Sequence, residues 1–154
     1  MKRIDNYINE KLKIGKVTYS CQPKDRDELC AILEERLAKD KNANLNDIDV
    51  SKITDMYKLF QDLDPHNIDI SGWDVSSVKD MYMMFADCRN FNCDLSDWDV
   101  SKVENMDSMF SNCEKFKSEG LEYWNVTNVK DMTGMFYRCF SIMKNKPSWY
   151  KGMI

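Results

Sequence analysis

Six cysteines and one histidine are the residues of this chain best suited to nucleophilic or metal chemistry. A thiol beside an imidazole can act as a catalytic nucleophile, and paired thiols at close spacing can bind zinc. The single histidine, His66, lies in the turn-forming sequence Asp64-Pro65-His66-Asn67, and no cysteines form a C-x-x-C pair. We therefore expect the protein not to be an enzyme and to use no cofactor or metal ion. Enzymatic activity would require His66 to lie within hydrogen-bond distance of a thiol in a cleft.

Three of the cysteines share one position of an internal repeat. Cys88, Cys113 and Cys139 are equivalent, and Leu63 fills the same position in the first copy. A position that accepts either leucine or cysteine is an apolar core position, because an unpaired cysteine packs as a small hydrophobic side chain. We predict that these three thiols are buried and reduced.

Two rows of acidic residues form a second candidate site. The first row is Asp49, Asp74, Asp99 and Asn125, and the second is Asp55, Asp80, Asn105 and Asp131. Like charges in a row repel each other unless hydrogen bonds or a bound cation compensate for them. We expect each carboxylate to accept hydrogen bonds from nearby backbone N–H groups. Calcium bound between the carboxylates is the alternative.

Both rows follow from a period of 25 residues that runs through the last two thirds of the chain. Four tetrapeptides start 25, 25 and 26 residues apart, and they are Ile48-Asp49-Val50-Ser51, Trp73-Asp74-Val75-Ser76, Trp98-Asp99-Val100-Ser101 and Trp124-Asn125-Val126-Thr127. A period of about 20 to 29 residues is typical of a solenoid, in which each copy buries its apolar face against its neighbours.

Spacing inside each copy predicts one short helix and one short strand. Val78, Met81, Phe85 and Cys88 would share one helical face, with Ser76 as the N-cap. Residues 91–96 then alternate in polarity, as in a strand. The stacked copies should form one buried column of phenylalanines, namely Phe60, Phe85, Phe110 and Phe136.

The chain is predicted to form one continuous domain made of two parts. Residues 1–47 form an N-terminal strand-helix cap, with a strand at 16–21 and an amphipathic helix at about 24–39. Residues 48–154 form the repeats, and one extra residue within 119–123 predicts a local bulge. The residues after Cys139 form a truncated fifth turn, which is expected to fold back and leave some apolar surface exposed.

The repeats also resemble a known family. The sequences Asp94-Leu95-Ser96-Asp97-Trp98-Asp99-Val100-Ser101-Lys102-Val103 and Asn105-Met106-Asp107-Ser108-Met109-Phe110-Ser111-Asn112-Cys113 closely resemble the BspA-like leucine-rich repeat, and the resemblance covers about residues 45–153. It implies a right-handed solenoid with a binding role, often in surface-displayed bacterial proteins. We therefore predict an α/β fold: a short right-handed leucine-rich-repeat-like solenoid of about four 25-residue repeats with an N-terminal strand-helix cap. The chain resembles a short, leaderless member of that family.

Composition and charge limit the class of partner. Apolar residues make up 43% of the chain, which is enough for a folded protein. The net charge is −4, and residues 48–154 hold 12 basic and 17 acidic side chains. Binding to nucleic-acid phosphates requires clustered lysine and arginine, so we expect no direct contact with nucleic acid. No signal peptide or membrane span is evident, which predicts a cytoplasmic protein that does not contact a membrane.

These observations predict a non-catalytic protein–protein interaction module built on a BspA-like repeat solenoid. The alternative is an inhibitor, encoded by a phage or other mobile element, that binds a bacterial defence nuclease through its acidic surface. The partner is expected to be another protein with a basic surface, and the chain itself a monomer or weak homodimer. Binding residues should lie where the copies differ, and the candidates are Asp69, Ser71, Asp94, Ser96 and Glu122 on the strand side and Tyr57, Tyr82, Met83 and Tyr137 on the helix side.

Overall fold

A computed structural model describes residues 18–117 and 119–152 of the chain. These residues contain one α-helix, α1 (Arg26–Lys39), and two short 3-10 helices (Leu121–Tyr123 and Phe140–Ile142). Within these ranges the β-structure consists of isolated parallel bridges, which join Cys21 to Ile48, Asn44 to Asp69, Asp55 to Asp80, Asp80 to Asn105, and Asn105 to Asp131. We refer to residues 44–68, 69–93, 94–118 and 119–143 as the first to fourth repeats.

The predicted α/β solenoid is wrong. The described part of each repeat has no α-helix and no strand longer than a single bridged residue, so there is neither a row of helices nor a sheet. Each repeat is instead a succession of turns, closed by hydrogen bonds such as those from Val78 N–H to Val75 O and from Met84 N–H to Met81 O. The apolar spacing that suggested a helix marks one buried residue per turn.

Left-handed backbone conformations explain why the helix does not form. Lys58, Met83 and Ser108 occupy one repeat position and have φ of 52°, 51° and 56°. A residue in this conformation cannot continue a right-handed helix, and it rotates its peptide groups away from the helix axis. The freed N–H groups then bond to the next repeat.

The N-terminal helix was correctly predicted. Asp25 precedes α1 and its side chain accepts a hydrogen bond from Glu28 N–H, and the helix buries Leu29, Leu33 and Leu37 against the first repeat. The predicted strand at 16–21 is not present where the chain is described: residues 18–20 are irregular and Cys21 makes a single bridge, while residues 16 and 17 lie outside the described part. The boundary between residues 1–47 and 48–154 stays a prediction.

Columns of like side chains hold successive repeats in register. The rings of Phe60, Phe85, Phe110 and Phe136 are fully buried and nearly parallel, with neighbouring centroids 5.1, 5.5 and 5.6 Å apart. Beside them, each tryptophan indole N–H donates to a carbonyl of the preceding repeat at 2.9 to 3.1 Å. The pairs are Trp73 with Leu45, Trp98 with Ile70, Trp124 with Leu95, and Trp149 with Leu121.

The three equivalent thiols are buried and unpaired, as predicted. Cys88, Cys113 and Cys139 are each fully buried, and each thiol donates to a backbone carbonyl oxygen at 2.9 to 3.1 Å. Burial raises the pKa of the Cys139 thiol to about 12. The thiols of this column are therefore protonated packing groups at neutral pH.

The extra residue and the tail both alter the fourth repeat. Gly120 has a left-handed backbone (φ 83°), and a Cβ there would lie 2.2 Å from Ser96 Cβ, so the third and fourth repeats touch closely at the predicted bulge.

The tail (residues 144–152) folds back as predicted. Tyr150 is buried and packs edge-on against Phe136, with their centroids 4.9 Å apart.

Candidate interaction surfaces

The two predicted acidic rows are rows of Asx turns. In each row the Oδ1 atom accepts a hydrogen bond, 2.8 to 3.2 Å long, from the backbone N–H two residues later. The donors are Ser51, Ser76, Ser101 and Thr127 in the first row and Tyr57, Tyr82, Asp107 and Thr133 in the second. The expected local hydrogen bonds are thus confirmed.

In two of the carboxylates these hydrogen bonds favour the ionised form. Hydrogen bonds from the Ser101 side chain and backbone lower the pKa of Asp99, and those from Thr133 lower the pKa of Asp131. Residues 18–117 and 119–152 contain no group of three or more His, Cys, Asp or Glu side chains arranged to hold a metal ion. The structure therefore explains the rows by turn formation.

A third row of Asx turns includes two of the candidate binding residues. Asn44, Asp69 and Asp94 each accept a hydrogen bond from the backbone N–H two residues later, at 2.9 to 3.1 Å. Asp69 also accepts from the Asn44 side-chain amide at 3.1 Å and from the Ser71 hydroxyl at 2.7 Å. The differences between the repeats predict variable surface at Asp69 and Asp94, although a serine or asparagine two residues after an Asx residue is a recognisable turn signal.

The first and third rows border a surface that we call the acidic flank, made of residues 44–51, 69–76, 94–101 and 119–127. These segments hold nine aspartate or glutamate residues and no lysine or arginine. Asp69, Ser71, Asp94, Ser96 and Glu122 all belong to it. Glu122 also accepts hydrogen bonds from the Ser148 backbone N–H, at 2.7 Å, and from the Ser148 hydroxyl, so it tethers the tail.

A second surface brings together three of the four candidates from the predicted helix side. The rings of Tyr57 and Tyr82 stack with centroids 6.4 Å apart and planes inclined by 14°, and Met83 follows Tyr82 with its side chain half-buried. Arg26 lies over the outer face of Tyr57, with its guanidinium carbon 4.4 Å from the ring centroid. We call Arg26, Tyr57, Lys58, Tyr82 and Met83 the tyrosine surface.

Helix α1 contributes a residue to this surface that the sequence analysis missed. Arg26 Nε donates to Tyr57 O at 2.6 Å, so α1 fixes the backbone of the tyrosine as well as its ring. Nothing in the repeat pattern identifies Arg26, because it lies outside the repeats and reaches Tyr57 only through the docking of α1. The fourth candidate, Tyr137, lies in the fourth repeat, where Arg138 is 5.6 Å from its ring centroid.

The possible catalytic residues lie apart from each other. His66 Nε2 is 3.8 Å from Asp64 Oδ2, and no thiol of the described chain lies within hydrogen-bond distance of the imidazole. Two shallow grooves, of about 250 and 430 Å³, are lined by lysine, asparagine, glutamate and serine side chains, and neither includes His66 or a cysteine. The geometry provides no activated nucleophile at these places.

Among the described residues no helix is both long and apolar enough to cross a membrane.

Comparisons with known proteins identify a family. Neither a curated protein nor a solved structure matches the chain. A family model described as "Mycoplasma protein of unknown function, DUF285" matches residues 32–149, which include most of α1 and all four repeats. This chain therefore belongs to the DUF285 family.

Proposed function

We propose that this protein is a non-catalytic protein–protein interaction module and that the tyrosine surface is its main contact. The observation that carries the proposal is the stack of the exposed Tyr57 on the half-buried Tyr82, beside the Arg26 guanidinium. Tyrosine and arginine are the residue types that most often dominate binding energy at protein interfaces. Tyr57 is 40% exposed, so part of its ring is accessible to a partner.

A fixed backbone supports the two rings. Tyr57 N–H donates to Asp55 Oδ1 at 2.9 Å, and Tyr82 N–H donates to Asp80 Oδ1 at 2.8 Å. Lys58 N–H donates to Tyr82 O at 2.8 Å and so joins the two repeats at the stack. A partner would therefore meet rings that already have fixed positions, and less conformational entropy would be lost on binding.

The resemblance to the BspA-like leucine-rich repeat also supports a binding role. Members of that family present repeated surfaces to other molecules, and the motif in residues 94–103 matches theirs closely. We propose a cytoplasmic location for this protein, which fractionation of cells that express it would test.

The acidic flank supports a second candidate function, inhibition of a bacterial nuclease. The segments of the acidic flank hold nine acidic residues and no lysine or arginine, and such a surface could occupy a basic nucleic-acid channel. This function predicts a partner held by charge, whereas binding through the tyrosine surface depends on aromatic contacts. The two proposals can be separated because they use different residues.

A comparison of four baits tests both proposals. Immobilised wild-type protein, a Tyr57→Ser/Tyr82→Ser variant and an Asp74→Asn/Asp99→Asn variant are incubated with mycoplasma lysate, and retained proteins are quantified by mass spectrometry. Asparagine keeps the Asx acceptor and removes only the charge, so the last variant leaves the turns intact. Tyr123→Ser, which removes an exposed ring from the acidic flank, is the control for loss of a tyrosine.

We expect a protein whose retention falls about tenfold or more in the tyrosine variant and is unchanged in the Tyr123→Ser control, because each lost interface anchor costs roughly 1 kcal/mol or more. A nuclease whose retention falls only in the aspartate variant would favour the inhibitor. If retention of every protein is the same on all baits, neither surface is a binding site.

A further inference from the structure

One ladder of backbone hydrogen bonds between the repeats runs in a single direction, whereas Lys79, Glu104 and Lys130 N–H beside it donate to the preceding repeat. Met81, Met83 and Phe85 N–H donate to carbonyls of the third repeat at 2.9 Å, and the equivalent residues of the first and third repeats donate in the same direction at 2.7 to 2.9 Å. Each repeat therefore offers N–H groups to the repeat that follows it. The last repeat in the ladder must present the same groups to something else.

In the fourth repeat these donors are the N–H groups of Met132, Gly134, Phe136 and Arg138. The Tyr150 hydroxyl accepts a hydrogen bond from Phe136 N–H. The N–H groups of Met132, Gly134 and Arg138 have no acceptor among residues 18–117 and 119–152. We call these three residues the open edge. An open row of backbone donors is the feature by which an exposed edge pairs with another chain.

The surroundings of the open edge are basic, unlike the acidic flank. Residues 130–152 contain five lysine or arginine residues and one acidic residue, Asp131. Arg138 belongs to the open edge itself, and Lys146 Nζ lies 5.8 Å from the ring of Tyr150, which covers Phe136 N–H. Arg138 and Lys146 thus place positive charge at the open edge and beside the ring that covers it.

Exposed apolar side chains adjoin the same edge. Tyr137, Phe140 and Met143 are 50, 58 and 64% exposed, although most large apolar side chains of the described chain are buried. Apolar side chains beside a row of backbone donors provide contacts for the side chains of an added strand. The edge therefore offers hydrogen-bond donors, positive charge and apolar surface together.

A second copy of this chain does not fit the edge. Two fourth repeats facing each other across a two-fold axis would oppose donors to donors. A head-to-tail arrangement would need free carbonyls on the first repeat, but α1 covers that side and Arg26 already donates to Tyr57 O. The acceptors must come from a different kind of chain.

We infer that the open edge binds an extended acidic segment of a partner protein, whose backbone carbonyls accept from Met132, Gly134 and Arg138 and whose carboxylates meet Arg138 and Lys146. This inference rests on the proposed interaction function and adds a second, separate contact to the tyrosine surface. Complementary charge would speed association and select against basic segments.

Nuclear magnetic resonance titration tests the inference directly. A decapeptide of alternating glutamate and threonine is added to the isotopically labelled protein, and the matched lysine–threonine peptide is the control. We expect the amide protons of the open edge to shift downfield and become protected from hydrogen exchange with the acidic peptide only. Arg138→Gln/Lys146→Gln should weaken binding about tenfold, whereas Lys52→Gln/Lys102→Gln, which removes two lysines beside the acidic flank, should leave it unchanged within about twofold.

Three results would overturn the inference. In the first, the open-edge amides are already protected in the free protein, so residues of this chain outside the described ranges occupy the edge. In the second, the acidic peptide shifts the amides of Tyr57 and Tyr82 instead. In the third, Arg138→Gln/Lys146→Gln and Lys52→Gln/Lys102→Gln weaken binding equally, so the electrostatic attraction is not specific to the open edge. The bait experiment is independent, because a partner held by the tyrosine surface would sustain the proposed function even if the edge binds nothing.

Discussion

The two ends of the repeats have the same sequence pattern but different surroundings. In the first repeat, Val50, Ile53 and Met56 belong to the same buried cluster as the leucines of α1 and are at most 2% exposed. Their counterparts in the fourth repeat are Val126, Val129 and Met132, and all three are only partly buried. Burial of a repeat residue is therefore set by the neighbouring structure and not by the residue's own type.

Different elements close the two ends. An amphipathic helix with three buried leucines covers the first repeat, and its Arg26 satisfies a backbone carbonyl there. At the other end Trp149 and Tyr150 cover the Phe136 side only. The end with exposed carbonyls is capped by a cation, while the end with exposed N–H groups is left mostly open. The following predictions test whether this difference governs stability.

Removing the tail should have the largest effect. Deletion of residues 147–154 uncovers Phe136 and should destabilise the fourth repeat by about 5 kcal/mol, with aggregation, because two large aromatic side chains leave the core. Thermal unfolding and solution mass by light scattering measure both effects. Tyr150→Phe, which keeps the ring and removes only the hydroxyl, should cost about 1 kcal/mol. If the deletion changes neither the melting temperature nor the mass, the tail does not close this end.

Loss of a buried side chain from α1, at the helix-covered end, should have the next largest effect. Leu33→Ala removes a fully buried side chain from α1 and should reduce the free energy of unfolding by about 3 kcal/mol. Ile32→Ala, at a half-buried position of the same helix, is the matched control and should cost about 1 kcal/mol. Denaturant unfolding measures both. Equal losses would mean that α1 does not seal the first repeat.

The sequence predicted α1, the buried thiols and the hydrogen-bonded aspartates, because each follows from local chemistry. The prediction of secondary structure within each repeat was wrong, because an apolar residue at every third position fits either a helix or a series of turns. The distinction depends on left-handed residues such as Lys58, Met83 and Ser108, whose side chains do not signal that conformation. Glycine marks this position only at Gly134.

The candidate surfaces were predictable to a similar degree. The 25-residue register placed Tyr57 and Tyr82 at equivalent positions, from which their stacking follows. Arg26 could not be predicted, because its place depends on how α1 docks. The open edge was equally hidden, since the direction of each N–H group is a property of the backbone conformation and not of residue type.

Two equivalent valines allow an interior repeat and the last repeat to be compared by the same substitution. Val78 is fully buried between repeats, and Val129 holds the same position in the fourth repeat but is only partly buried. Replacement by alanine should cost about 2 kcal/mol at Val78 and about 1 kcal/mol at Val129. Denaturant unfolding of the two variants gives the comparison. A larger loss of stability at Val129 would contradict the conclusion that the fourth repeat is less tightly packed than the interior repeats.

The smallest expected effect is a pH-dependent ion pair at the helix-covered end. Asp47 accepts from the Ser20 hydroxyl and lies 2.9 Å from Arg36, and these contacts lower the pKa of Asp47. A lowered carboxyl pKa adds stability above the unfolded value of about 3.9, and that stability is lost as the pH falls through the folded pKa. Both side chains are about one third exposed, so solvent screening limits the gain to about 0.5–1 kcal/mol.

Asp47→Asn should therefore destabilise the protein at pH 7 and have little effect near pH 2, as measured by thermal melts across this range. Glu122→Gln is the corresponding change at the opposite end, where Ser148 lowers the pKa of Glu122. A difference between Asp47→Asn and wild type that does not vary with pH would show that the ion pair contributes nothing.

The Asx turns make surface charge independent of the fold. Eleven positions in three rows accept a backbone hydrogen bond through one side-chain oxygen, and eight are aspartate while three are asparagine. Either residue supplies that oxygen, so mutation between them changes the electrostatic field but not the turn. Replacing all eight aspartates by asparagine would move the net charge from −4 to +4. A protein built this way can exchange partners of one charge for partners of the other by neutral steps, while its architecture stays under separate selection.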